Sequence, residues 1–286
     1  MITPRTLKGF RDYLPEAMLP REWIIDTARR VYRSYGFRPI DTPALEYLEI
    51  LTGKGSDETD KQLYQFKDHG GRDVGLRFDL TVPLARFVAQ YAQQLGTPFK
   101  RYHIASVWRG ENTQAGRYRE FMQCDFDSVG VTSLTADIEM VLVINDLLTA
   151  LGVESFTMSI NHRGILNGLL DKQGMRQQST AVLRALDKLD KIGPEKVLFE
   201  LSQTTVATPD QAKQLIALAS IEGENDVVLQ QVEALVAGSE EGERGVAQMR
   251  ELLAAVSHAG VPADRIRLNP SIARGLDYYT GIVVET

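Results

Sequence analysis

Phe99-Lys-Arg-Tyr-His-Ile-Ala-Ser-Val-Trp-Arg109-Gly-Glu-Asn-Thr-Gln-Ala-Gly-Arg117-Tyr-Arg119-Glu-Phe121 is the stretch that decides how this 286-residue chain folds. Arg101 to Trp108 reads as a strand, a Gly/Asn/Thr/Gln tract follows, and Phe121-Met-Gln-Cys-Asp-Phe-Asp127 resumes the strand pattern. Two such runs around a long polar tip make an antiparallel hairpin. Alternation places Gln123, Asp125 and Asp127 on one face of the second strand. It also puts Arg109 in step with Ala105 and Val107, aimed into the working face of the first. An inward arginine is costly unless it meets an anion. Arg109 is therefore either a phosphate clamp or half of an internal ion pair with Asp79 or Asp127.

Upstream, Ile24, Ala28, Val31 and Tyr35 recur at helical spacing, so Pro20 to Tyr35 reads as a helix that Gly36 ends. Phe37 to Thr42 reads as a short strand closed by Pro43, and Val74 to Phe78 as another, with a helix near Thr81–Gln94. Between them, Gly75-Leu-Arg-Phe-Asp79-Leu-Thr81 sets a carboxylate and a hydroxyl on the same face of an extended segment. With Gln123 and Asp127 these make an acceptor-rich pocket for an ammonium group and a protonated ring nitrogen. A helix N-cap explains Asp79 or Thr81 equally well. Downstream, a helix is expected over Asp137–Leu151 and a strand over Ser155–Ile160. From about Arg163 to Val261 the pattern is helical, with a stripe of Val182, Leu186, Leu189 and Ile192, and strand pattern returns at Ile266.

Bulk properties exclude several classes. The chain is 43% apolar and 24% charged, ordinary for a globular protein, and its formal charge of -6 argues against a general nucleic-acid coat. One cysteine, Cys124, permits neither an internal disulfide nor a thiolate metal cluster. No apolar run reaches the ~18 residues that span a bilayer, and the N-terminus lacks a signal peptide, so no membrane association and a cytoplasmic location are expected. No Walker-type loop, dinucleotide fingerprint or nucleophile elbow is present. The four histidines are scattered without metal spacing, and no resident metal site is expected.

Near the C-terminus stands Ser271-Ile-Ala-Arg274-Gly-Leu-Asp-Tyr278-Tyr279-Thr-Gly-Ile-Val283. It offers a guanidinium fork for phosphate and phenols for a polar ring, or else an ordinary Tyr-rich strand. Four segments in order now resemble the class II aminoacyl-tRNA synthetases, and among them the histidyl-tRNA synthetase family. They are the helix–strand–Pro43 element, Leu76-Arg-Phe-Asp-Leu-Thr81, the hairpin from Arg109 to Asp127, and Ala273-Arg-Gly-Leu-Asp-Tyr-Tyr-Thr-Gly281.

The resemblance implies an α+β fold: a class II synthetase-like antiparallel sheet flanked by helices, with a helical insertion domain. It implies a first catalytic part over 1–162, the insertion over 163–261 and a return strand over 262–286. The family activates histidine with ATP and Mg2+ to histidyl-adenylate and passes it to tRNA(His), as a homodimeric ligase of protein biosynthesis. By that likeness Arg109 and Arg274 are catalytic and hold the α-phosphate, with Glu111 and Phe121 at the adenine. Asp79, Thr81 and Gln123 grip the α-amino group, Asp127 and Tyr279 read the imidazole, and Tyr278 lines the pocket. An anticodon-binding domain and a further ATP-binding arginine are absent here, so a C-terminally truncated catalytic portion is expected, its final strand Thr280–Thr286 lacking a neighbour. The alternative is the histidine-sensing regulatory subunit of ATP phosphoribosyltransferase, which shares the fold.

Overall fold

The computed structural model describes the chain except residues 1, 53–59, 206 and 273–278, and the side chain of Asp190. Two compact units divide it, Met1–Thr132 and Ser133–Thr286. The architecture is α+β, with helices flanking small sheets in which antiparallel pairs predominate.

In the first unit α1 spans Pro15–Ser34, beginning five residues before the expected start. Pro15 occupies its first turn, where a missing N–H costs nothing, and Pro20 falls early enough in the helix to be tolerated. The strand expected over 37–42 contracts to β1, Arg38–Pro39, with one further bond to β5 beyond it, from the Ile40 N–H to the Tyr102 carbonyl at 3.1 Å. β1 runs parallel to that β5, Phe99–Trp108, which pairs antiparallel with β6, Glu120–Val129. A second sheet joins β2 (Leu45–Tyr47), β4 (Asp73–Leu76) and β3 (Gln65–Lys67), in that order. A short α2, Leu48–Leu51, follows β2. β4 stops before the expected Phe78, and α3 occupies Thr81–Tyr91.

The hairpin separates chemistry by face. Register pairs Tyr102 with Phe126 and Ile104 with Cys124, and these even-numbered residues turn toward α1. Tyr32 of α1 meets Phe126 at 4.9 Å and Tyr102 at 5.6 Å between ring centroids, with Phe37 5.5 Å from Phe126. That aromatic cluster is the core of the unit's sheet. The odd-numbered face carries Arg101 opposite Asp127, His103 opposite Asp125 and Ala105 opposite Gln123.

In the second unit α4 spans Leu134–Ala150 and β7 Met158–His162, three residues later than the expected strand begins. The helices α5 (Arg163–Lys172), α6 (Ser179–Leu186), α7 (Leu189–Ile192), α8 (Pro194–Thr204), α9 (Pro209–Ala219), α10 (Asn225–Val236) and α11 (Glu240–His258) follow. The stripe Val182–Ile192 is thus divided between two helices, both facing one core. The chain then returns to the sheet it left: β8, Ile266–Leu268, runs parallel to β7, and β9, Ile282–Glu285, runs antiparallel on β7's other edge. The last strand of the sheet, β9, thus pairs with β7 on one side and stands at the sheet's edge on the other among the described residues. Among the described residues no helix is long and apolar enough to cross a membrane.

Candidate active site

Local forces fix each candidate side chain. Arg77, buried just beyond β4, donates from Nη1 to the Thr42 carbonyl at 2.6 Å and from Nε to the Ser106 carbonyl at 2.9 Å. It ties the segment before Pro43 to β5, and so sets where the chain re-enters at Phe78 and Asp79. Sequence reading passed over it, because its two closest partners are backbone carbonyls that no motif records.

Asp79 takes the capping role: its Oδ1 accepts from the Val82 N–H at 3.0 Å. The segment bends into α3 rather than staying extended, so Asp79 and Thr81 do not share a strand face as expected. Thr81 is exposed at the start of α3.

Arg109 lies beyond the end of β5, where its Nε donates to the Phe78 carbonyl at 3.2 Å. Its guanidinium carbon sits 4.4 Å from the Phe78 ring centroid and 5.0 Å from that of Phe121. Among the described residues it makes no ion pair, which removes the internal-pair alternative. Burial pulls its pKa down, against Glu111 and Asp79. A cation clamped by rings, with its outer nitrogens uncommitted to a carboxylate, is ready for an anion. Glu111 accepts from Arg117 Nη1 at 3.3 Å, and its carbonyl accepts from Arg119 Nε at 3.0 Å. The base of the tip is held from the N-terminal segment, where the Gly9 carbonyl accepts from the Arg119 N–H at 2.8 Å. Gly9 has φ +86°, and a Cβ there would stand 2.7 Å from Arg119 Cγ, so only glycine fits.

On the odd-numbered face, Gln123 Oε1 is buried with no hydrogen-bond partner among the described residues. Asp127 Oδ2 lies 2.5 Å from Nη2 of Arg101, a pairing absent from the expected roles. Burial raises the Asp127 carboxyl and Arg101 lowers it. Asp125, to which no role was given, is pushed up to about 6 by burial, against the pull of Arg101 and with Asp127 and Asp79 adding to the rise. His103 bonds Asp41 at 3.0 Å, and burial lowers its pKa. His162 accepts from the Gly164 N–H at 2.9 Å as a helix cap.

The structure therefore gathers Asp79, Arg109, Glu111, Phe121, Gln123 and Asp127 within the first unit. Tyr279 belongs to the second and is 46% exposed. Arg274 and Tyr278 lie outside the described residues. Among the described residues no group of three or more His, Cys, Asp or Glu gathers as a metal site.

The histidyl-tRNA synthetase family model matches residues 9–286. The chain is 58% identical over its full length to histidine–tRNA ligase of Rhodopirellula baltica, of which it covers 65%, and 48% identical to that of Wolinella succinogenes, of which it also covers 65%. Among solved structures, histidyl-tRNA synthetase from Nostoc sp. PCC 7120 superposes with a TM-score of 0.88 at 36% identity, covering all of this chain and 65% of that one. A protein from Bacillus halodurans described as an ATP phosphoribosyltransferase regulatory subunit/histidyl-tRNA synthetase gives 0.85 at 26%, covering all of this chain and 73% of that one. The chain spans about two thirds of the length of these curated relatives, just under that fraction in the first of them. With the family's pattern running through all but its first eight residues, the chain belongs to the histidyl-tRNA synthetase family.

Proposed function

We propose that this chain carries the site at which a histidine–tRNA ligase joins histidine to ATP, forming histidyl-adenylate and releasing pyrophosphate, before the acyl group passes to tRNA(His). The observation that carries the reading is Arg109, a half-buried cation held by Phe78 and Phe121 without a carboxylate partner. The histidine carboxylate and the α-phosphate are both anionic, so the chemistry needs charge neutralisation and alignment more than proton transfer. Arg109 would hold the α-phosphate as the carboxylate attacks, and Arg274 would approach it from the other side. Glu111 and Phe121 would take the adenine.

Gln123 Oε1, buried and open, suits the α-ammonium. Asp79 would join it, with Thr81 beside the pocket. Asp127 and Tyr279 would read the imidazole, with Tyr278 lining the pocket. Mg2+ would arrive with ATP on its β- and γ-phosphate oxygens. The helices between β7 and β8 would serve as the insertion that meets the tRNA acceptor stem, and the enzyme would act in the cytoplasm. On α1, Leu19, Trp23 and Ile24 are exposed, an apolar face that supports a homodimer.

Histidine-dependent ATP–pyrophosphate exchange tests the reading: exchange with histidine and with no other amino acid is expected. Histidine binding without any exchange would favour the regulatory-subunit reading, which the likeness to the Bacillus halodurans protein keeps in view.

A further inference from the structure

Arg101 has none of its surface exposed, yet it is poorly satisfied. Its Nη2 meets Asp127 Oδ2, while its Nε and Nη1 are buried with no hydrogen-bond partner among the described residues. Taking a guanidinium out of water costs more than one carboxylate contact returns. On the same face of β5 and β6, Gln123 Oε1 and His103 Nδ1 are also buried and unpartnered. Folded proteins leave few such atoms, and a cluster of them on one sheet face marks a place for a polar ligand. An arginine so placed adds little to the stability of the sheet, so its effect falls on the charges opposite.

We propose that Arg101 is a positioning residue of the amino-acid pocket: it pins the Asp127 carboxylate and offsets its charge and that of Asp125, keeping both ready for the cationic groups of histidine. The proposal rests on the histidine-activating reading above. Cross-strand register sets the geometry, with Arg101 opposite Asp127 and Asp125 the next residue along that face of β6. Burial pushes both carboxyls up, and the Arg101 cation is the main charge holding each down. The other groups acting on the cluster are His103 with its partner Asp41, Arg109, Asp79 and Arg77, and through the sheet the Tyr32 hydroxyl and the Cys124 thiol. Without Arg101 both carboxyls would hold their protons to higher pH. A cationic ligand would then bind weakly near neutrality and regain affinity in alkali.

The test is calorimetric titration of the 286-residue chain with histidine between about pH 5.5 and about pH 8.5. Arg101→Met should weaken binding roughly tenfold to hundredfold near neutrality and clearly less at the alkaline end. Arg101→Lys, which keeps the charge, should restore most of the wild-type profile. Histidine's own titration is common to every chain and cancels in the ratio to wild type. Should Arg101→Met fail to fold, Asp125→Asn decides: it should flatten the rise in affinity between about pH 5.5 and about pH 7. A ratio constant with pH for Arg101→Met, or a wild-type profile for Asp125→Asn, overturns the proposal. Wild-type chain that binds no histidine at any pH overturns instead the functional reading beneath it.

Discussion

Arg109 owes its poise to two aromatic rings and one carbonyl, none of which neutralises it. Lysine can keep the charge at that position but neither stacks as a plane nor presents a fork. Arg109→Lys should therefore lower kcat/KM for pyrophosphate exchange by about 10²–10³-fold with an unchanged circular dichroism spectrum; activity within a few-fold of wild type would remove Arg109 from the phosphate. Asp125 makes a second prediction at this scale. Its carboxyl titrates near 6 when folded and near its usual value when unfolded, so the folded state binds more protons in between. Stability must then fall as pH rises through that window. Asp125→Asn should stabilise the chain by about 1–2 kcal/mol above pH 7, after allowance for solvent screening, and by almost nothing below pH 4. Urea unfolding at the two pH values measures the difference. Alternation alone made Gln123, Asp125 and Asp127 legible in the sequence as one face. What it could not supply was the cross-strand register, and that register is what delivers Arg101 to Asp127.

Between elements, α5 and α11 approach one another closely. A Cβ at Gly168 would stand 2.6 Å from Gly242 Cα and 2.8 Å from Ser239 Oγ, the hydroxyl that accepts from the Gly242 N–H at the start of α11. Gly168→Ala cannot be absorbed by a rotamer change, since backbone is what it meets. We expect a loss of about 1–3 kcal/mol, read by thermal or urea unfolding, although alanine is the better helix former in isolation. A neutral or stabilising result would mean that the two helices can part without cost. Helical periodicity revealed these elements well, α4 and the span from Arg163 onward especially. It failed where a stripe continues across a break, as between Leu186 and Leu189, because both short helices face the same core. Strand pattern in turn overran β1, which covers only Arg38–Pro39 of the 37–42 expected.

At the scale of the molecule, the exposed face of α1 makes oligomeric state the quantity to measure. Leu19 and Trp23 lie one turn apart and are 67% and 53% exposed, too much apolar surface on one helix for comfort in water. Trp23→Asp should convert a dimer to a monomer in sedimentation velocity at micromolar concentration; wild-type chain that already sediments as a monomer would refute the dimer. The sheet of the second unit carries a different consequence, one of timing. β7 is flanked by β8 and β9, and Asn161 donates to the Ile272 carbonyl across 111 positions of sequence. During synthesis, helices α5 to α11 emerge and can pack while β7 still waits with both edges bare. The segment made after those helices is thus the one that closes the sheet, and contacts so distant in sequence form late. A nascent chain stalled before Ile266 would expose an unpaired strand to its neighbours on the polysome, where another copy's β7 is the nearest template for misassembly.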